Sequence, residues 1–225
     1  MEKLMGILDW LQGKSNFRKF DDAFAINRSA LGNALLETLQ SPQHQSKSRW
    51  LVVHFTQTFT KIQELLDSAQ VKYSIVSSPI DPANLEKQDL LSPDETKLVL
   101  SELIPAAAAT MIEFNSKQTI AIMVAERHPQ ISKDDQLEEF ARSLPVCVEL
   151  GHFISLEDEI IKNSINEKTI QILKQLGVDE ADLIASNMLS NRLKKSLRKQ
   201  SLTYTTDNPA DSAYQWLKLN GNQWK

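Results

Sequence analysis

A single cysteine in 225 residues, Cys147, rules out a disulfide framework, and one thiol cannot seed a zinc knuckle. Its Leu-Pro-Val-Cys-Val setting reads as buried strand or core, which suits a reducing compartment. The four histidines, His44, His54, His128 and His152, lack helix-spaced His or Cys partners, so no metal site is expected. Cys147 and His152 are close in sequence, but spacing alone does not make a catalytic pair. Glycine and proline are sparse, at 6 and 8, which excludes collagen-like and low-complexity chains. No window approaches the roughly 20 apolar residues of a membrane span. The apolar stretch at residues 4–11 is broken by Gly6 and Asp9, and no small-residue cleavage site follows, so no secretory signal is read there. A phosphate-binding loop is missing too. Gly13-Lys14-Ser15 has the end of one, but the earlier glycine it requires falls on Leu8, and the tripeptide reads as a helix-terminating turn.

What remains is ordinary globular composition, 41% hydrophobic and 24% charged. The net charge of −4 is unevenly spread. From Leu189 onward there are seven Lys/Arg against two Asp/Glu, and before it 18 against 27, so a basic C-terminal region follows an acidic body. That acidic body argues against general nucleic-acid binding.

The first forty residues read as a helical arm, with Ile26, Ala30 and Ala34 on one row and Leu31, Leu35 and Leu39 on another. Residues 41–48 are polar and aperiodic, a linker. Trp50-Leu51-Val52-Val53-His54-Phe55 is the near-continuous apolar run of a parallel strand buried on both faces. A helix with Phe59, Ile62, Leu65 and Leu66 follows, capped by Thr56 or Thr58, then a strand at residues 71–76, making a β-α-β unit. Ser92-Pro93-Asp94-Glu95 reads as a helix start, and Leu98-Val99-Leu100 is open between strand and helix. Ile120-Ala121-Ile122-Met123-Val124 is another buried strand, ending in Glu126-Arg127-His128 where open α/β sheets keep their ligand sites. A helix after Asp134, a strand at residues 146–150, a helix over residues 157–176 ended by Gly177, a basic helix at residues 189–199 and a small aromatic helix with Tyr214, Trp216 and Leu217 complete the chain.

Glu126-Arg127-His128, Asp134-Asp135-Gln136-Leu137, Phe153-Ile154-Ser155-Leu156-Glu157-Asp158 and Leu176-Gly177 together resemble, in order and spacing, the bacterial SecA preprotein translocase ATPase family. There a strand ends in Gly-Thr-Glu-Arg-His, an Asp-Asn-Gln-Leu helix start follows, then an arginine-rich motif and Tyr-Leu-Ser-Leu/Met-Glu-Asp. The likeness covers about a third of the chain well and extends more loosely back to Arg49. It implies a P-loop NTPase-type, RecA-like second motor half without the first half and its magnesium box. The family's two γ-phosphate arginines fall here on Phe140 and Ser143, with Arg142 one residue off register. Losing an arginine finger alone costs on the order of 10³–10⁵ in phosphoryl-transfer rate.

The expected fold is therefore α/β, a mostly parallel sheet flanked by helices. It is divided into a helical arm and linker (1–48), a degenerate motor half (49–160) and a helical extension (161–225). The expected function is a cytoplasmic, non-catalytic SecA-like accessory or adaptor near protein export, with a protein partner and no cofactor. The alternative is a nucleotide-responsive half-site completed in trans by another subunit. Glu126, Arg127, His128, Asp134 and Gln136 are the candidate nucleotide or anion contacts, weighed against a structural Arg127–Asp134 ion pair. Phe140 and Leu144, as closed core or docking patch, join Arg192, Lys194, Lys195, Arg198, Lys199, Trp216 and Trp224 as candidates for a partner surface or a peripheral contact with acidic lipid at the inner membrane. The plain reading of the basic helix is a packed helix with a solvated face, and nucleic-acid binding through it is disfavoured.

Overall fold

The computed structural model describes residues 16–106, 115–164, 171 and 183–221. Strands β1 (Phe17–Lys19) and β2 (Ala23–Ala25) precede helices α1 (Arg28–Gln40) and α2 (Pro42–Gln45). Next come β3 (Ser48–Val53), α3 (Thr56–Ser68), β4 (Tyr73–Ile75) and β5 (Thr96–Leu100). The remainder is β6 (Asn115–Val124), α4 (Ile131–Ser143), β7 (Val146–Ser155), α5 (Glu159–Ser164), β8 (Leu183–Ala185), α6 (Asn187–Ser201) and α7 (Ala213–Asn220). They build a sheet of order β4-β5-β3-β6-β7-β2-β8, with β1 also on β7. Among the described residues only the β2·β8 pairing is antiparallel, so the fold is the expected mostly parallel sheet with helices on its faces.

The central strands are apolar throughout because both faces are covered. Successive side chains alternate faces. Trp50 and Val52 join Ile122, Leu137 and Phe140 beneath α4, while Leu51 and Val53 join Leu35, Leu66 and Met123 beneath α1 and α3. A third cluster, with Phe24, Ile154, Leu193 and Trp216, lies under α6 and α7. Trp50 donates Nε1–H to the Leu90 carbonyl at 2.8 Å, which pins the loop before β5 to the sheet.

Several sequence expectations need correction. Phe17–Lys19 and Ala23–Ala25 are strands on β7 rather than helical arm, because Phe17, Phe24 and Ala25 are buried against the sheet. The helix begins only at Arg28, where the Asn27 side chain accepts the Ala30 N–H at 2.8 Å. It packs on the sheet, burying Leu31, Leu35 and Leu39. No helix starts at Pro93; the chain turns there, Arg49 takes the Pro93 carbonyl, and β5 follows, settling Leu98-Val99-Leu100 as strand. Thr56 and Thr58 do not cap α3, whose N-cap Phe55 has no side-chain cap bond. The strand expected at residues 146–150 runs on to Ser155, taking in Phe153-Ile154-Ser155. Gly13-Lys14-Ser15, Trp224 and the second part of the helix expected over residues 157–176 lie outside the described residues.

Candidate functional site

From β3 the chain crosses through α3 toward β4, and from β6 it crosses through α4 toward β7 in the opposite direction. The two helices cover opposite faces, so the C-terminal ends of β3 and β6 flank the crevice in which open α/β sheets take ligands. His54 and Phe55 leave β3 there, and Glu126, Arg127 and His128 leave β6.

The N-terminus of a helix presents unpaired N–H groups and a partial positive charge, a ready anion position. In α3 that position is filled by the chain itself. One oxygen of Glu126 accepts the N–H groups of His54 at 2.8 Å and Phe55 at 3.0 Å, and the other accepts the Thr58 hydroxyl at 2.7 Å. Glu126 is buried, which pushes its carboxyl up, while His54, Thr58 and the two amides pull it back.

Behind it lies a buried ionic chain. Arg127, only 2% exposed, reaches Asp134 from one terminal nitrogen at 3.1 Å and Asp22 from the other. The other Asp134 oxygen lies 2.9 Å from His54 Nε2, and His54 Nδ1 is 2.9 Å from the Ser101 hydroxyl. Asp22 sits in the break between β1 and β2, fixed by its N–H on Ser190 Oγ of α6 at 3.1 Å. Burial would raise the Asp134 carboxyl, but Arg127 and then His54 hold it well below the carboxylate range. Burial, then Arg127, depresses His152 well below the ordinary imidazole value; burial, then His54, takes His128 down to about 3.

These two neutral histidines make stability pH-dependent. Above pH 6.5 neither state protonates them; below it the unfolded chain binds protons that the folded chain refuses, so stability falls. Glu126, with its raised carboxyl, works in the opposite direction, and Asp134 adds further loss only below the unfolded carboxylate range near pH 4. From pH 7.5 to 5.5 each histidine is expected to cost on the order of 1 kcal/mol. Urea unfolding at the two pH values checks this, and His128→Phe should make the difference smaller. A pH difference left unchanged by His128→Phe would show that this imidazole ionises freely in the fold.

The crevice is also roofed. His128 stacks on Phe55 with ring centroids 5.2 Å apart, and Trp216 of α7 meets His128 edge-on at 5.1 Å and Tyr204 at 4.9 Å. Asp211, just before α7, accepts the Thr56 hydroxyl with its carboxylate and the Gln57 N–H with its carbonyl, both at 2.9 Å. The loop before it is tied down by Lys133–Asp207 at 2.8 Å. Thus the C-terminal segment and Glu126 together serve the first turn of α3.

Of the expected contacts, Glu126, Arg127, His128 and Asp134 converge, whereas Gln136 stands on the exposed side of α4 outside the cluster. The Arg127–Asp134 pair is present and is one link of a larger chain. Phe140 and Leu144 are no partner surface: at 0% and 1% exposure they are core, because α4 turns that face onto Trp50. Trp216, 1% exposed, folds back onto the body. Arg192, Lys195, Arg198 and Lys199 are exposed, and Lys194 is half-buried. Cys147 and His152, five apart on β7, point to opposite faces and form no pair. Sequence reasoning passed over His54, Asp22 and His152. His54 follows β3 as Glu126 follows β6, so the rule that singled out one strand end applied equally to the other. Among the described residues no group of His, Cys, Asp and Glu is arranged to hold a metal ion. No helix among them is long and apolar enough to cross a membrane.

Beside the crevice a cleft of about 380 Å³ opens between α1, α3 and α5, with Leu31, Leu35, Ile62, Leu65, Ile160 and Ile161 among its walls.

No protein-family model matches this chain, and no curated protein matches it. Solved structures do. The C-terminal domain of a possible DNA helicase from Lactobacillus plantarum aligns over 59% of this chain and 70% of its own, at 13% identity and a TM-score of 0.36. The C-terminal part of the Fun30 ATPase domain aligns over 77% of this chain and 53% of its own, at 16% identity and a TM-score of 0.40. Neither is a preprotein translocase, and the architecture described above rests on strand order and register rather than on these likenesses.

Proposed function

We propose that this chain is a non-catalytic accessory protein that binds another protein and has turned its ancestral ligand crevice into structure. The observation that carries the reading is the Glu126 carboxylate on the His54 and Phe55 amides and the Thr58 hydroxyl at the entry to α3, a position that suits an anion. A second anion brought there would face a buried negative charge. Arg127, next to Glu126 in the chain, has both terminal nitrogens on aspartates. The cleft beside the crevice, apolar over more of its wall than polar but also lined by Arg28, Lys61, Asp158 and Glu159, suits an amphipathic helix partner. The link to protein export is carried by the SecA-like sequence anchors alone.

Phosphate release from MgATP by the purified chain tests this. The expected rate equals that of the protein-free control, and a fluorescent ATP analogue is expected to show no saturation below about 1 mM. Turnover that disappears on Arg142→Ala would overturn the proposal, since Arg142 is exposed, its contacts are with Glu138 and the Phe17 ring, and it lies next to the register of the family's arginines.

A further inference from the structure

The helix α6 carries fifteen residues without one carboxylate, Asn187 to Ser201. Its inner face is anchored: Leu189, Leu193 and Leu197 are buried, Ser190 holds the Asp22 N–H, and Ser201 accepts the Ile131 N–H at 3.2 Å. The outer face is therefore fixed toward solvent. At 100° per residue, Met188, Arg192, Lys195, Lys199 and Leu202 fall within an arc of about 80°, and Arg198 lies about 40° beyond its edge. The four cations are exposed, and among the described residues no carboxylate lies within ion-pair distance of any of them. At the two ends of the row stand Met188 and Leu202, 73% and 87% exposed, the two most exposed large hydrophobic residues of the described chain.

We infer that this row is a docking face for an anionic lipid bilayer, the helix lying flat with Lys and Arg on the headgroups and Met188 and Leu202 entering the interface. The charge complementarity is local, because the rest of the chain before Leu189 carries 18 Lys/Arg against 27 Asp/Glu and would be repelled by the same surface. That imbalance orients the molecule with α6 toward the membrane. The apolar ends decide between occupants. A bilayer interface accepts both a methionine and a leucine beside cations, whereas a nucleic-acid backbone offers them nothing. The contact is reversible, since the two apolar side chains bury little and each cation near an anionic surface contributes roughly a factor of five. This inference does not depend on whether the crevice takes a nucleotide.

Co-sedimentation of the full chain with vesicles of phosphatidylcholine, or of phosphatidylcholine with about 30% phosphatidylglycerol, tests it. Binding is expected only to the anionic vesicles at low salt and should be released as salt screens the surface. The variant Arg192→Ser/Lys195→Ser/Lys199→Ser is expected to lose on the order of 100-fold in partitioning, and Met188→Ser/Leu202→Ser several-fold with the salt dependence retained. Thermal melts of the variants show that the fold is intact, and the salt series on the unaltered chain gives a reading free of substitutions. Failure to bind the anionic vesicles, binding undiminished in the triple variant, or tighter retention of a DNA duplex at the same salt would each overturn it.

Discussion

Replacing Arg127 by methionine is expected to destabilise the protein by about 3–5 kcal/mol, the usual consequence of removing one partner from a buried charge cluster. The guanidinium is 2% exposed and Asp22 and Asp134 are as deeply buried, so its loss leaves two carboxylates in a low-dielectric interior without a cation between them. The effect is therefore expected to shrink when Asp22→Asn is added, because the second change removes a charge that the first left uncompensated. Urea unfolding of both variants measures it. A loss below about 1 kcal/mol would mean that the cluster is hydrated and open.

The second large effect is expected at Phe140. Phe140→Ala should cost about 3–5 kcal/mol, the range for deleting a buried aromatic ring. The ring has no exposed surface, stacks on Trp50 at 6.5 Å and is surrounded by strands β3, β6 and β7. Phe140→Asp should prevent folding, since a carboxylate there has no partner. A docking patch would behave differently, tolerating both changes in stability while losing a partner. A stable Phe140→Asp protein would place this face of α4 at the surface.

How much of this was legible in the sequence differs from element to element. β3 and β6 were readable because a strand covered on both faces must be apolar at every position, and Trp50 to Val53 and Ile120 to Val124 satisfy that over a short run. β1 and β2 were not, because three-residue strands at the margin carry no period, and the strong helical spacing of α1 extended its reading backward over them. The candidate site was half visible. Glu126, Arg127 and His128 stand out as a polar group at a strand end, and Asp134 follows by the resemblance. Asp22 gave no local signal, since its role arises from a strand break more than one hundred residues away from Arg127. Phe140 shows the limit of analogy: the motif position once given to an arginine says nothing about exposure, and the i, i+3, i+4 pattern of Leu137, Phe140, Ala141 and Leu144 pointed to core.

The claim beneath the whole account is that Glu126 occupies the anion position at the head of α3. The most direct test follows the backbone amide resonances of His54 and Phe55 in ¹⁵N-labelled protein during a titration with MgATP. The account predicts that both stay fixed up to about 1 mM nucleotide, and that Glu126→Gln alone moves them. A saturable, nucleotide-dependent shift of these two amides in the unaltered chain would contradict it.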